Sequence, residues 1–253
     1  MSARRPKVIG HGGAKGYAPK DTKASFQKAL ELGVDAVELD LHQTRDGTPV
    51  VYHDPYLDRT TQHRGLIGEK WIQELKNIDV GSWFSPKFHG ERILTLEEAM
   101  DLILGRAELV IELKQARGRK DIRYEGLECR VCQAIRERDA YEEVIVTSFD
   151  HFALLEVRRL DPKVRVGMLF GANWLTLWDE VRELGPYAIF PHWVFTTRDL
   201  VEEAHERGVQ VYVWVVNEEN WMRKLFRWGV DGVVTDYPDR AGHVLDELRE
   251  AKL

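Results

Sequence analysis

Apolar residues recur along the chain in two alternating patterns. Short β-branched runs lie at Lys7–Gly10, Ala36–Leu41, Leu109–Leu113, Val144–Ser148, Arg165–Leu169, Ala188–Pro191, Val209–Val215 and Gly232–Thr235. Between them apolar positions return every three or four residues, the spacing of one helix face. These stretches include Thr22–Leu32, Leu96–Leu104, Gly126–Arg138, Phe152–Leu160, Leu175–Leu184, Arg198–Glu206, Asn220–Trp228 and Arg240–Ala251. Gly33, Gly208 and Gly229 each follow a helical stretch and precede a strand, where glycine accepts the left-handed cap conformation. Strand and helix in alternation predict a parallel sheet. Eight such units in 253 residues predict an α/β fold of the (β/α)8 TIM barrel type, one domain over 1–253. The run His11-Gly12-Gly13-Ala14-Lys15-Gly16 is glycine-rich but does not match the G-x-G-x-x-G fingerprint of an open dinucleotide-binding sheet.

One connection is too long for a simple βα loop. Residues 42–95 read as a small insertion after strand two, placed at the C-terminal face where barrel active sites lie. It holds a hairpin-like piece at Thr48–Tyr52 after the Asp46-Gly47 turn signal, a short helical patch at Glu69–Leu75 and an aromatic loop at Gly81–Phe88.

Composition removes several function classes. A chain 43% hydrophobic and 31% charged is ordinary globular protein, not a disordered or low-complexity scaffold. A net charge of −6 gives no footprint for nucleic acid or an anionic membrane. It leaves room for a small anionic substrate held by local cations. No signal-peptide core follows Met1–Lys7 and no 18-residue apolar run occurs, so the expected location is cytoplasmic. Cys129 and Cys132 are spaced C-x-x-C inside a predicted helix, with no second pair to complete a zinc site. They read as helix-packing thiols in a reducing compartment.

Polar residues crowd the predicted strand ends: His11, Glu38 and Asp40, Glu112 and Lys114, Thr147 and Ser148, His192, Trp214, Asn217 and Asp236, with Tyr52-His53-Asp54 from the insertion. Glu38 and Asp40 are two apart on a strand and share a face, as do Glu112 and Lys114. Like charges so close repel unless a cation neutralises them. Three carboxylates at one barrel mouth suit a hard divalent cation, Ca2+ or Mg2+. Lys114 beside them suits a phosphate oxygen. His11 and His53 are the candidate acid–base pair, because imidazole titrates near neutrality. His42, His63, His89, His151, His205 and His243 read as loop or helix-surface residues. Trp174 and Trp178, spaced i, i+4, read as helix packing or as an apolar wall beside the mouth.

With these residues assembled, the sequence resembles the glycerophosphodiester phosphodiesterase family from Val8 to about Pro238. The matching stretches are His11-x-Gly13, Val37–Asp40, Thr44–Asp54, Leu57–Thr61, Ile111–Lys114, Thr147–Phe149, Trp214-x-Val216-Asn217 and Gly229–Pro238. The resemblance implies a barrel with an insertion after strand two, a divalent cation on Glu38, Asp40 and Glu112, and proton transfer by His11 and His53. It also implies Lys114 at the phosphate and Phe149, His192 and Trp214 lining the substrate pocket. The implied reaction hydrolyses a glycerophosphodiester to glycerol 3-phosphate and an alcohol, with the glycerol hydroxyl attacking phosphorus and water opening the cyclic product. A lyase that stops at the cyclic phosphate and a non-catalytic phosphodiester-binding barrel are the alternatives.

The sequence departs from the family chiefly at two places, with smaller departures at Leu94 and Val215. Where the family has His-Arg-Gly this chain has His11-Gly12-Gly13, and where it has Pro-Glu-Asn-Thr this chain has Pro19-Lys20-Asp21-Thr22. The charge changes cancel. Lys20 is therefore the expected replacement cation at the phosphate, with Asp21 as its partner or as the cap of the following helix. Loss of catalytic strength is the competing expectation.

Overall fold

The computed structural model describes residues 5–115 and 124–251. In chain order its strands and α-helices are β1 (Lys7–Gly10), α1 (Lys23–Glu31), β2 (Ala36–Gln43), β3 (Pro49–Val51), α2 (Ile72–Leu75), β4 (Leu94–Thr95), α3 (Leu96–Ile103), β5 (Glu108–Leu113), α4 (Leu127–Glu137), β6 (Val144–Ser148), α5 (His151–Leu160), β7 (Arg165–Phe170), α6 (Leu177–Leu184), β8 (Ala188–Pro191), α7 (Arg198–Glu206), β9 (Gln210–Val213), α8 (Glu219–Trp228), β10 (Gly232–Thr235) and α9 (Pro238–Glu250). Eight strands run parallel in the order β1-β2-β5-β6-β7-β8-β9-β10, and β10 pairs with β1 to close the barrel. The predicted (β/α)8 barrel is the observed one.

Two apolar layers hold it. The larger lies between strands and helices and includes Phe26, Leu39, Met100 and Ile111, all fully buried. The smaller fills the barrel interior with at least one residue from every strand: Ile9, Ala36, Val110, Ile145, Leu169, Ala188, Phe190, Tyr212 and Val234. Side chains alternate along a strand, so residues two further on keep the inward direction. From Ile9 this step reaches His11. From Ala36 it reaches Glu38 and then Asp40, and from Val110 it reaches Glu112 and then Lys114. From Phe190, Tyr212 and Val234 it reaches His192, Trp214 and Asp236. The pleat that packs apolar side chains low in the barrel thus aims polar ones inward at its upper end.

Between β2 and α3 the chain builds a separate structure. β3 pairs antiparallel with the end of β2 (Leu41 opposite Val51, Gln43 opposite Pro49) and with β4. Val50, Tyr52, Leu57, Ile67, Leu75, Ile78, Val80 and Ile93 form its own buried cluster. Val51, on the other face of β3, packs into the main core.

Three local expectations change. Asp21 does not cap α1. Thr22 does, its hydroxyl accepting from Ser25 N at 3.2 Å, while Asp21 takes a left-handed φ of 61°. Trp174 lies ahead of α6 and packs on His151 and Phe170, so it shares no helix with Trp178. Cys132 is buried in the main core, but Cys129 on the same helix is exposed, and both thiols are free.

Candidate active site

Glu38, Asp40 and Glu112 converge where the pleat places them. Each offers a carboxylate oxygen within 4.8 Å of the others. Glu38 accepts the Gly12 backbone N–H at 2.8 Å. Asp40 is fully buried, and neither of its oxygens has a hydrogen-bond partner of good geometry. They rest instead against two ammonium groups, Lys20 Nζ at 2.5 Å and Lys114 Nζ at 3.0 Å. Lys114 also donates to Glu112 at 2.7 Å. Asp21, also buried, leaves one oxygen without a partner and accepts the Asp40 backbone N–H with the other at 3.3 Å.

Electrostatics follow from this crowding. Burial, then the Asp40 charge, pushes Glu38 up to about 8. Burial also leads in pushing Glu112 up to about 7. Burial opposes the charge on Asp40 as well, yet Lys20 and Lys114 hold it well below the usual carboxylate range. When all are ionised, the buried Asp21, Glu38 and Asp40 and the half-buried Glu112 exceed the two ammonium groups by a formal −2, which one divalent cation matches. The orphaned oxygens and the all-carboxylate donor set therefore fit such an ion.

Two histidine–aspartate pairs flank this cluster. His11 Nδ1 lies 2.6 Å from Asp236 Oδ1, and Asn217 holds the other Asp236 oxygen at 2.9 Å. A carboxylate only accepts, so Nδ1 carries the proton and Nε2 keeps its lone pair. Burial first, and the Lys20 charge second, bring His11 down to about 4. His53 Nδ1 bonds Asp54 Oδ1 at 2.6 Å, and Arg59 Nε donates to the second Asp54 oxygen. His11 and His53 line the same cavity of about 200 Å³, together with Lys20, Asp21, Tyr52 and Arg59. Phe149 meets the Trp214 ring edge-on at 5.4 Å, and His192 meets the same ring at 4.8 Å.

The candidate proton-transfer, cation and pocket residues thus lie at the upper end of the barrel or in the insertion packed on it. Asp236 and Asp54 gain a role that sequence reasoning did not assign, that of orienting the two imidazoles. Their signal was present, since Asp236 ends the last strand and Asp54 follows His53. His42 is neither a loop nor a surface residue. It is buried on β2 and bonds Tyr124 Oη at 2.7 Å and the His53 carbonyl at 3.1 Å.

Burial, only partly offset by the His53 carbonyl, lowers His42 from 6.5 to about 4. Between those values the unfolded chain binds a proton that the native state refuses, so this residue's contribution to stability falls as pH drops through the window. His42→Gln is expected to flatten the fall in unfolding free energy between pH 6.5 and pH 4. Urea unfolding at several pH values measures it, and an unchanged slope counts against a buried neutral His42.

The sequence model of the glycerophosphoryl diester phosphodiesterase family matches residues 11–240. The chain belongs to this family. It is 36% identical over 233 residues to a glycerophosphodiester phosphodiesterase of Caldanaerobacter subterraneus, covering 92% of this chain and 94% of the relative. Among solved structures it resembles a phosphodiesterase of Oleispira antarctica in complex with the product sn-glycerol-3-phosphate, at 32% identity and a TM-score of 0.84, covering 95% and 97% of the two chains. A putative glycerophosphoryl diester phosphodiesterase of Silicibacter pomeroyi is 28% identical with a TM-score of 0.86, covering 96% and 94%. The protein is accordingly an enzyme, a phosphoric diester hydrolase of the glycerophosphodiester class. No helix among the described residues is long and apolar enough to cross a membrane.

Proposed function

We propose that the enzyme hydrolyses glycerophosphodiesters to glycerol 3-phosphate and an alcohol with a divalent cation, Ca2+ or Mg2+, on Glu38, Asp40 and Glu112. The observation that carries this reading is two Asp-oriented imidazoles facing one cavity beside a three-carboxylate cluster. When bound, the cation supplies charge neutralisation at the phosphate. The remaining work falls to side chains of this protein.

His11, only 16% exposed at its side chain, sits deep and accepts the proton of the substrate's glycerol hydroxyl at Nε2 as that oxygen attacks phosphorus. His53, 43% exposed, sits toward solvent where an alcohol departs, and gives a proton to the leaving oxygen from Nε2. Asp236 keeps the His11 proton on Nδ1 and leaves its Nε2 free to accept, whereas the Asp54 carboxylate stabilises the His53 imidazolium, which carries a second proton on Nε2 to give. Water then opens the cyclic phosphate with the two roles exchanged. Lys114 and Lys20 hold phosphate oxygens, and Phe149, His192 and Trp214 bound the organic part of the substrate. In this reading residues 1–253 act as one catalytic barrel, residues 42–95 being the insertion that carries His53. The two unpaired thiols support a reducing, cytoplasmic setting. The hydrolase names of the relatives do not favour the lyase or the non-catalytic barrel.

Treatment with EDTA is expected to lower turnover of glycerophosphocholine by about 10³-fold, and re-addition of Mg2+ or Ca2+ to restore it. Phosphorus NMR should show glycerol 3-phosphate as the final product. Turnover indifferent to EDTA, or a cyclic phosphate that persists, overturns the reading.

A further inference from the structure

Lys20 occupies a position that its sequence neighbourhood does not announce. Its stem lies across Gly12, where a Cβ would come within 2.1 Å of Lys20 Cγ and where φ is +53°. Residue 12 is thus left without a side chain, and the lysine passes through that space into the cluster. Its ammonium group stands 2.5 Å from Asp40 Oδ2 and 2.9 Å from His11 Nε2. The Lys20 side chain is only 10% exposed, so these are tight contacts and not a solvated charge. An ammonium has three donors and no acceptor, so Nζ donates to His11 Nε2 and rests against Asp40 as an ion pair.

These two partners are the ones the proposed reaction cannot do without. One is a carboxylate of the cation cluster. The other is the lone pair of the deep imidazole, which cannot accept a hydroxyl proton while it accepts one from Lys20.

We propose that Lys20 is a built-in placeholder cation, whose ammonium caps both Asp40 and His11 Nε2 in the metal-free protein and must release both when a divalent cation binds. The proposal rests on the reading that Glu38, Asp40 and Glu112 hold that cation. Binding then does two things at once: it fills the cluster and it frees the base. Lys20 also lines the cavity, and its flexible four-carbon stem lets the displaced ammonium turn toward an anionic substrate there. Lys20 thus competes with the metal for Asp40, and the affinity for the metal is reduced by the cation that must be expelled. Gly12 is the structural condition for this arrangement, because a side chain at that position would close the lysine's path.

The test is calorimetric titration of Mg2+ and Ca2+ into the metal-free full chain and into Lys20→Met and Lys20→Gln. Both variants are expected to bind metal at least tenfold more tightly than the parent. Equal or weaker binding overturns the proposal. A second measurement uses the parent alone and does not depend on the variants folding. On saturation with Mg2+ the nitrogen NMR resonance of His11 Nε2 is expected to move as its bond to Lys20 is lost. A resonance that stays in place under saturating metal shows that Lys20 has not let go, and it too overturns the proposal. The cluster reading fails in a different way, by absence of saturable binding to the parent and to both Lys20 variants, and that outcome removes the proposal with it. Saturable binding that Glu38→Ala abolishes, with affinity unchanged in Lys20→Met, sinks the placeholder role alone.

Discussion

His11→Ala is expected to lower kcat on glycerophosphocholine by about 10²- to 10⁴-fold, the range for removal of a positioned acid–base group. The effect belongs in kcat more than in KM, since in the proposed mechanism the imidazole moves a proton in the transition state and the phosphate is held elsewhere. The barrel should persist, because His11 lies above the interior apolar layer that begins at Ile9. Asp236→Asn offers the graded companion. An amide at that place no longer fixes the proton on Nδ1, so the ring samples the wrong tautomer and activity falls with the imidazole still present. Steady-state kinetics of the two variants, with circular dichroism as a check on folding, decide the matter. A His11→Ala enzyme within tenfold of the parent removes His11 from the mechanism.

Asp40→Ala carries the largest expected loss of stability, on the order of 3–5 kcal/mol, the usual result of removing one partner from a buried ion pair. Asp40 is fully buried and is contacted by two ammonium groups at 2.5 and 3.0 Å. Lys114 retains Glu112 at 2.7 Å. Lys20 loses its closest carboxylate, although it can shed its proton and so limit the cost. The same substitution removes a carboxylate from the cation cluster, so activity should vanish together with stability. Urea unfolding of parent and variant in EDTA isolates the first effect from metal loss. A change under about 1 kcal/mol would mean that the lysines are not buried against Asp40 as described.

The barrel was legible because its signal is distributed. Eight β-branched runs alternate with helical spacing, and no single residue decides the outcome. Site residues were legible for a related reason: in a barrel, polar positions at strand ends inherit the inward face from the apolar positions two residues earlier, as Glu38 does from Ala36. What sequence spacing does not contain is the path of a long side chain. Lys20 was expected at the phosphate, with Asp21 as its partner or as a helix cap. The structure runs its stem over Gly12 to Asp40 and His11, and gives the cap to Thr22 in place of Asp21. That outcome depends on the left-handed turn at Gly12, which is invisible in a list of charges. His42 was misread for want of the same information. Its burial comes from the antiparallel pairing of β3 against the end of β2, a contact between chain segments and not a property of the residue.

The insertion has its own apolar cluster, distinct from that of the barrel, and β3 belongs to both, with Val50 on one side and Val51 on the other. His11 therefore stands on one packed body and His53 on another. In the proposed reaction a proton relay divided in this way is an assembly device as much as a chemical one, since the two imidazoles face a common cavity only while the smaller core stays seated. That smaller core is held by far fewer buried side chains, and its local opening would part the pair without disturbing the sheet. In the proposed reaction, whatever unseats the smaller core would then cost activity before it costs the barrel.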